Sequence, residues 1–439
     1  MNALLLALAF AAAPAGPEPA ASQPSTDWTL SRMMEDVLGD PRERESSGTA
    51  WQPSTTPMMA HHLMVEGGWM AMIHYALFAG VDTQLSQRGA TTATSANWVM
   101  GMADHSLLGG RFSARTMLTL EPLTAGGLGF PLLLQSGETY GGQPLHDYQH
   151  PHDLFMEVAV MYQRAITPDV GFELYAAPSG EPALGPPAFM HRPSASADPL
   201  PPLGHHWQDS THVSFGVLTA GMFTRFAKLE ASWFNGREPD EFRFNFDFAP
   251  FDSWSARLSV APADWLAAQV SYGFLQQPEA LYPLNSIQRT TASLMVVQHP
   301  LRWATVAATA SWGHNVGSRE APSNSFLLEG SVECARNTLF LRAEAVQKFG
   351  HDLVLSQDPQ LAFQRLWLGA VTLGYLRELL VLGPVVMGAG VRVAVDFLPP
   401  ELLPYYGTAF PLGGMAYLRF RPTLMPGEER RLGLAGDRP

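Results

Sequence analysis

Cysteine, lysine and long apolar runs are all scarce in this chain of 439 residues. Cys334 is the only cysteine, so no disulfide within the chain can staple it, and the small disulfide-rich scaffolds are excluded. Lysine occurs twice, at Lys228 and Lys348, and the net charge is −13. That balance leaves no basic groove to track a phosphate backbone and excludes nucleic acid as a partner. No run of about 18 apolar residues follows the N-terminus, which excludes a helical membrane span. Yet 46% of residues are hydrophobic while mean hydropathy stays near zero, so apolar and polar residues must be finely interleaved. Length alone permits two or three soluble domains or one large closed sheet.

What is present begins with MNALLLALAFAAAPAG, an apolar stretch from Ala3 to Ala13 ending in an Ala-x-Ala site at Ala13 and Ala15. Residues 1–15 therefore read as a secretory signal peptide, although Lys and Arg are missing from its start; a short buried N-terminal helix is the alternative. Residues 16–60 fit no strand pattern. A periplasmic tail, a lumen plug and a short helix starting near Thr29 all remain open for them.

From His62 onward apolar residues recur at every second position, the period of a strand. In LFMEVAVMYQR, Leu154, Met156, Val158, Val160 and Tyr162 share one face and Glu157, Ala159, Met161 and Gln163 the other. In PVVMGAGVRVAVDF, Val385 to Phe397 give an unbroken apolar face at odd positions, with Arg392 and Asp396 opposite. Connections alternate in length as an outer-membrane barrel requires. Short ones fall at 107–110, 167–169, 262–264, 299–302 and 335–337; long ones fall near 122–152, 178–209, 236–252, 275–288, 314–323, 349–362 and 398–411. The prediction is an all-β, transmembrane, antiparallel up-and-down β-barrel of about sixteen strands, within a range of about twelve to eighteen. Long loops are extracellular, short turns periplasmic, and the bacterial outer membrane is the location. The barrel spans 61–421, followed by a periplasmic tail at 422–439. Trp69, Trp98, Trp233, Trp254, Trp265, Trp303, Trp312, Trp367 and Tyr417 fall near strand ends, where interface aromatics belong. A β-sandwich or β-helix also alternates, but neither predicts this rhythm of short turns and long loops.

Two clusters invite chemistry: DYQHPHD ends one long loop and HHWQDSTH the next. Both belong at the extracellular mouth, starting about 10 Å apart at a strand spacing near 4.8 Å. His150, His152, His205, His206 and His212 with Asp147, Asp153 and Asp209 supply more donors than a Zn²⁺ or Cu²⁺ site needs, so copper and zinc are the candidate ions. No HExxH or paired CxxC accompanies them. The alternative is that these groups only fix the loops by hydrogen bonds. A hydrolase using Ser210 and His212 is a further alternative, unsupported by any Gly-x-Ser-x-Gly elbow. Met33, Met34, Met58, Met59, Met64, Met70 and Met72 crowd the N-terminal region; thioethers suit Cu(I), but Met64, Met70 and Met72 fall on one face of the first strand, so packing explains them at least as well. NGREPDEFRFNFD mixes signs at close range and favours structural ion pairs. On the non-lipid face stand Arg111, Arg115, Glu157, Arg257, Glu329, Glu333, Arg342, Glu344, Arg392 and Asp396. Such rows set the ion preference of a pore or neutralise one another.

The blocks QHPHDLFMEVA, HHWQDSTHVSFG, ASWFNGREPDEFRF, DSWSARLS and QRTTAS cover the middle of the chain. At these residues it resembles a group of uncharacterised, porin-like bacterial outer-membrane β-barrel proteins. The resemblance implies the barrel and the compartment and transfers no activity to any residue. The expected function is a porin-like channel for small polar solutes or ions, in contact with outer-membrane lipid, with a His-rich mouth that binds a transition metal. A plugged structural or adhesion barrel is the remaining alternative.

Overall fold

A computed structural model describes residues 35–434, so the expected signal peptide at 1–15, the alternative of a helix starting near Thr29, and Met33 and Met34 fall outside the described residues. Among the described residues, twenty strands form in chain order. They are β1 His61–Val65, β2 Trp69–Leu85, β3 Thr91–Thr94, β4 Asn97–Leu107, β5 Gly110–Leu118, β6 Phe130–Tyr140, β7 Gln143–Gln149, β8 Phe155–Thr167, β9 Val170–Gly180 and β10 Ser214–Phe223. There follow β11 Ala227–Phe234, β12 Ser253–Ala263, β13 Leu266–Gln276, β14 Ser286–Leu301, β15 Ala304–Gly317, β16 Ser323–Cys334, β17 Asn337–Phe349, β18 Arg365–Leu382, β19 Val385–Phe397 and β20 Leu412–Pro422.

β3 and β4 lie end to end against β2 and act as one stave. β1 folds back on the lower part of β2, and β6 and β7 form a separate hairpin. The remainder closes into a 16-strand antiparallel barrel, the seam running from Leu77 opposite Phe420 to Leu85 opposite Leu412. Closure pairs every edge, which is what a sheet in hydrocarbon must achieve. The predicted turns are present, joined by two more at 224–226 and 383–384.

The dyad repeat sets the two faces. Along β19, Val391 and Val393 are exposed outward while Arg392 is buried inward. Trp233, Trp254 and Trp367 project outward at the end bearing the long loops, and Trp265 and Trp303 at the end bearing the short turns. Trp98 and Tyr417 do not join these girdles. Both carry the inward parity of their strands: Trp98 lines the lumen, and the Tyr417 hydroxyl donates to the Ala197 carbonyl at 2.5 Å. Among the described residues no helix is long and apolar enough to cross a membrane. A closed sheet with an apolar exterior is an integral protein of the bacterial outer membrane.

The interior is filled. The long connection 181–213 folds inward and is buried almost throughout. From the other end, residues 35–60 enter the lumen, where Arg115 donates to the Gly48 carbonyl at 2.6 Å, Lys228 to that of Thr49, and Arg257 to the Thr49 hydroxyl at 3.0 Å. Thr55 contacts the short turn at Asp264, and Arg44 the turn at Arg225, which fixes this segment to the periplasmic side. The tail beyond β20 closes over it, with Arg431 donating to the carbonyls of Ser54 and Thr56 at 2.7 and 3.0 Å.

Candidate functional site

The site is built where two inward-folding connections meet near the top of β8 and β10. A cavity of about 20 Å³ is lined by His150, His152, Asp153, His205, His206, Ser210, His212 and Glu238. That is room for about one water-sized occupant. The His205 and His212 rings stand 5.0 Å apart, His152 and His212 5.1 Å, and His205 and His206 5.6 Å. Residues 205–208 form one helical turn and 210–212 a 3-10 turn, and these turns bring imidazoles seven residues apart in sequence together.

Every one of the five imidazoles has its Nδ1 beside an oxygen that can only accept. His152 meets the Glu121 carboxylate at 2.7 Å and His205 that of Asp209 at 2.7 Å, while His206 lies 3.3 Å from Glu238. His212 bonds the Asp209 carbonyl at 2.7 Å and His150 the Pro151 carbonyl at 3.2 Å. A neutral ring that donates from Nδ1 must offer Nε2 as a lone pair. The Nε2 atoms of His152 and His212 are buried with no hydrogen-bond partner among the described residues. Burial, helped by neighbouring cations and imidazoles, holds His150, His206 and His212 well below the usual imidazole range. At His152 burial acts in the same sense, but the Glu121 carboxylate outweighs it and raises this ring. Asp209 sits below the ordinary carboxyl range because Arg192 and His205 together overcome its burial.

Of the predicted ligands, the five histidines and Asp153 share the cavity, and Asp209 stands behind His205. Asp147 lies elsewhere. It occupies a left-handed backbone position in β7, φ 57°, and its carboxylate meets Arg88 at 2.7 Å and the Tyr406 hydroxyl at 3.0 Å. Asp153 is taken by Arg243 at 3.2 Å. Glu121 and Glu238 were missed as supports for the cluster. As it stands, no group of three or more His, Cys, Asp and Glu side chains among the described residues is arranged to hold an ion. Ser210 and His212 form no nucleophile and base pair: the Ser210 hydroxyl accepts from Arg289 at 3.0 Å, and neither nitrogen of His212 bonds it.

The ten predicted lumen charges all face inward, and seven of them, Arg111, Arg115, Arg257, Glu329, Arg342, Glu344 and Arg392, contact inserted chain. Arg111 and Arg115 hold Glu45, which three guanidiniums bring down to about 2 despite its burial. Arg192 of the inward loop, fully buried, joins Asp209 and Glu329 at 2.7 Å each. Arg342 bonds Glu329 at 3.1 Å and Asp198 at 3.2 Å, and Arg392 meets Asp198 at 3.1 Å. Glu157 accepts from Tyr175 at 2.7 Å, Arg257 pairs with Glu230 at 3.1 Å, and Glu344 faces the Gly204 amide at 3.4 Å. Asp396 is buried on the inner face, and Glu333 lines a deeper chamber of about 250 Å³ between the N-terminal segment, the loop and the wall.

No protein-family profile matches the chain, and no curated protein matches it in sequence. In three dimensions it is similar to OprB of Pseudomonas putida, with a TM-score of 0.49 and 10% identity over 80% of this chain and 94% of that one. It is also similar to the outer membrane channel DcaP of Acinetobacter baumannii, TM-score 0.42, 8% identity, covering 82% and 99% of the two chains. An anion-selective porin from Comamonas acidovorans aligns with a TM-score of 0.42, 8% identity and coverage of 80% and 99%. At such identities the likeness is one of shape.

Proposed function

We propose that this porin-like barrel admits transition-metal ions through a lumen gated by its own chain, and that the histidine cluster is the point of capture. The observation that carries this is the state of the imidazoles around one cavity: each Nδ1 lies beside a carboxylate or carbonyl, and the Nε2 atoms of His152 and His212 are buried there without a hydrogen-bond partner among the described residues. Metal-bound histidines are oriented in this way, with the second nitrogen donating to carboxylate or backbone. Hydrogen bonding that served only to anchor loops has no need to leave two buried lone pairs unused. Small side-chain rotations close rings already 5.0 to 5.6 Å apart onto a Zn²⁺ or Cu²⁺ ion, which displaces the proton that Glu121 favours on His152.

Calorimetry of the detergent-purified barrel with Zn²⁺ and Cu²⁺ tests this. Saturable heats are expected for the native chain and their loss for the His205→Ala, His212→Ala variant. Equal heats from the two proteins would refute capture at this cluster.

A further inference from the structure

Beneath the histidines lies a chamber of about 250 Å³, where Met72, Met100 and Met102 pack in one apolar cluster with Met117, Met156, Val213 and Phe215, yet the composition of its lining goes beyond what packing requires. Its long aliphatic-type side chains are methionine alone: Met58 and Met59 from the N-terminal segment, Met190 from the inward loop, and Met72, Met100 and Met102 from the wall. Leucine, isoleucine and valine are absent from the described lining, although leucine far outnumbers methionine in the chain. A core chosen for packing would favour the branched residues with their defined rotamers. Three separate segments converging on thioethers point to the sulfur itself.

The register places these groups. Met72 lies opposite Met102 and His74 opposite Met100 across β2 and β4, and Met100 lies opposite Met117 on β5. Facing side chains on one sheet surface start about 4.5–5.5 Å apart at Cβ, within reach of a shared ion. His74 Nε2 is buried without a hydrogen-bond partner among the described residues. The His191 ring, next to Met190 on the loop, stands 5.9 Å from the His74 ring, with Trp98 5.2 and 4.9 Å from the two.

We propose that this chamber is a binding site for a soft monovalent cation, Cu(I) in the first place, held by the thioethers of Met72, Met100 and Met102 with the imidazole of His74. Thioether sulfur selects Cu(I); of the carboxylates that also line the chamber, Glu45, Glu121 and Asp198 are already held by Arg111, His152, and Arg342 with Arg392. This rests on the metal reading above for its place in uptake. His152 lines both cavities and so adjoins the two sites, but none of these four donors belongs to the upper cluster.

The test uses the full chain in detergent, with Cu(I) kept reduced by ascorbate and competed against the chromogenic chelator bicinchoninate. The native protein withdraws one equivalent. Met72→Leu, Met100→Leu, Met102→Leu together, a swap that conserves volume, weakens that by at least about 10-fold, the least that losing even a supporting residue costs a metal site. Heat-dependent gel mobility confirms that the variant is a folded barrel; should it not be, His74→Leu is read in its place, with the same direction expected. The His205→Ala, His212→Ala variant retains Cu(I) binding while losing Zn²⁺, so the two sites fail separately. The proposal is overturned if the native chain takes no Cu(I), or if the methionine variant competes as well as the native chain.

Discussion

Glu181 is a buried residue at which proton binding and chain position are linked. It follows β9 directly, and its Cβ and carbonyl oxygen lie where a side chain on Gly48 of the N-terminal segment would have to go, at 2.8 and 3.1 Å. Burial pushes its carboxyl from the ordinary 4.5 up to about 8, only partly opposed by Arg257. Between those two values the folded protein keeps a proton that the unfolded chain has lost. The stabilisation is therefore complete below pH 4.5 and is lost as pH rises to about 8. We expect the native barrel to melt at a lower temperature at pH 9 than at pH 6, and Glu181→Gln, uncharged throughout, to narrow the difference. An identical drop in both proteins would show that Glu181 is already ionised at pH 6. At this scale the sequence disclosed part of the site. His-Pro-His and His-His pairs are conspicuous in a string of letters, whereas Glu121, which orients His152 from 31 residues away, carries no local mark. Asp147 misled because proximity in sequence says nothing of a left-handed turn that aims its carboxylate at Arg88.

Among elements, the inward loop 181–213 fills the lumen from the extracellular end. Its anchor is Arg192, shared between Asp209 of its own chain segment and Glu329 of β16. Removing one member of such a buried group leaves uncompensated charge and costs about 3–5 kcal/mol. Arg192→Ala is expected to release the loop, read as new protease cuts within 181–213 and raised conductance in planar bilayers. Unchanged resistance and conductance would mean that Arg342 and Arg392 hold the loop unaided. The strands were legible because period two is imposed wherever one face meets lipid and the other does not. The breaks were not: β1 turns back at Gly67 and Gly68, and β3 is separated from β4, inside what reads as continuous alternation. Nor could alternation say where residues 35–60 go, since their backbone carbonyls are satisfied by wall guanidiniums and an ammonium group distant in sequence.

For the molecule as a whole, stability depends on which solvent its outer face meets. Val391 and Val393 project from β19 into the apolar belt, and a positive charge near the bilayer midplane costs a barrel about 2–4 kcal/mol. Val391→Arg should lower the unfolding free energy by about that amount in denaturant titrations of vesicle-embedded protein. A change below about 0.5 kcal/mol, the usual effect of an ordinary surface substitution, would place this face outside hydrocarbon. The strand total was accessible from the rhythm of connections, but a closed circuit is a long-range fact that only the pairing of β2 with β20 supplies.

That pairing also orders events during biogenesis. Residues 35–60 leave the secretion machinery ahead of every stave, yet the space they occupy is enclosed only once the last stave has joined the first. The surroundings that hold this earliest-exported segment are therefore complete only at the last step of closure, when Leu77 to Leu85 of β2 meet Leu412 to Phe420 of β20.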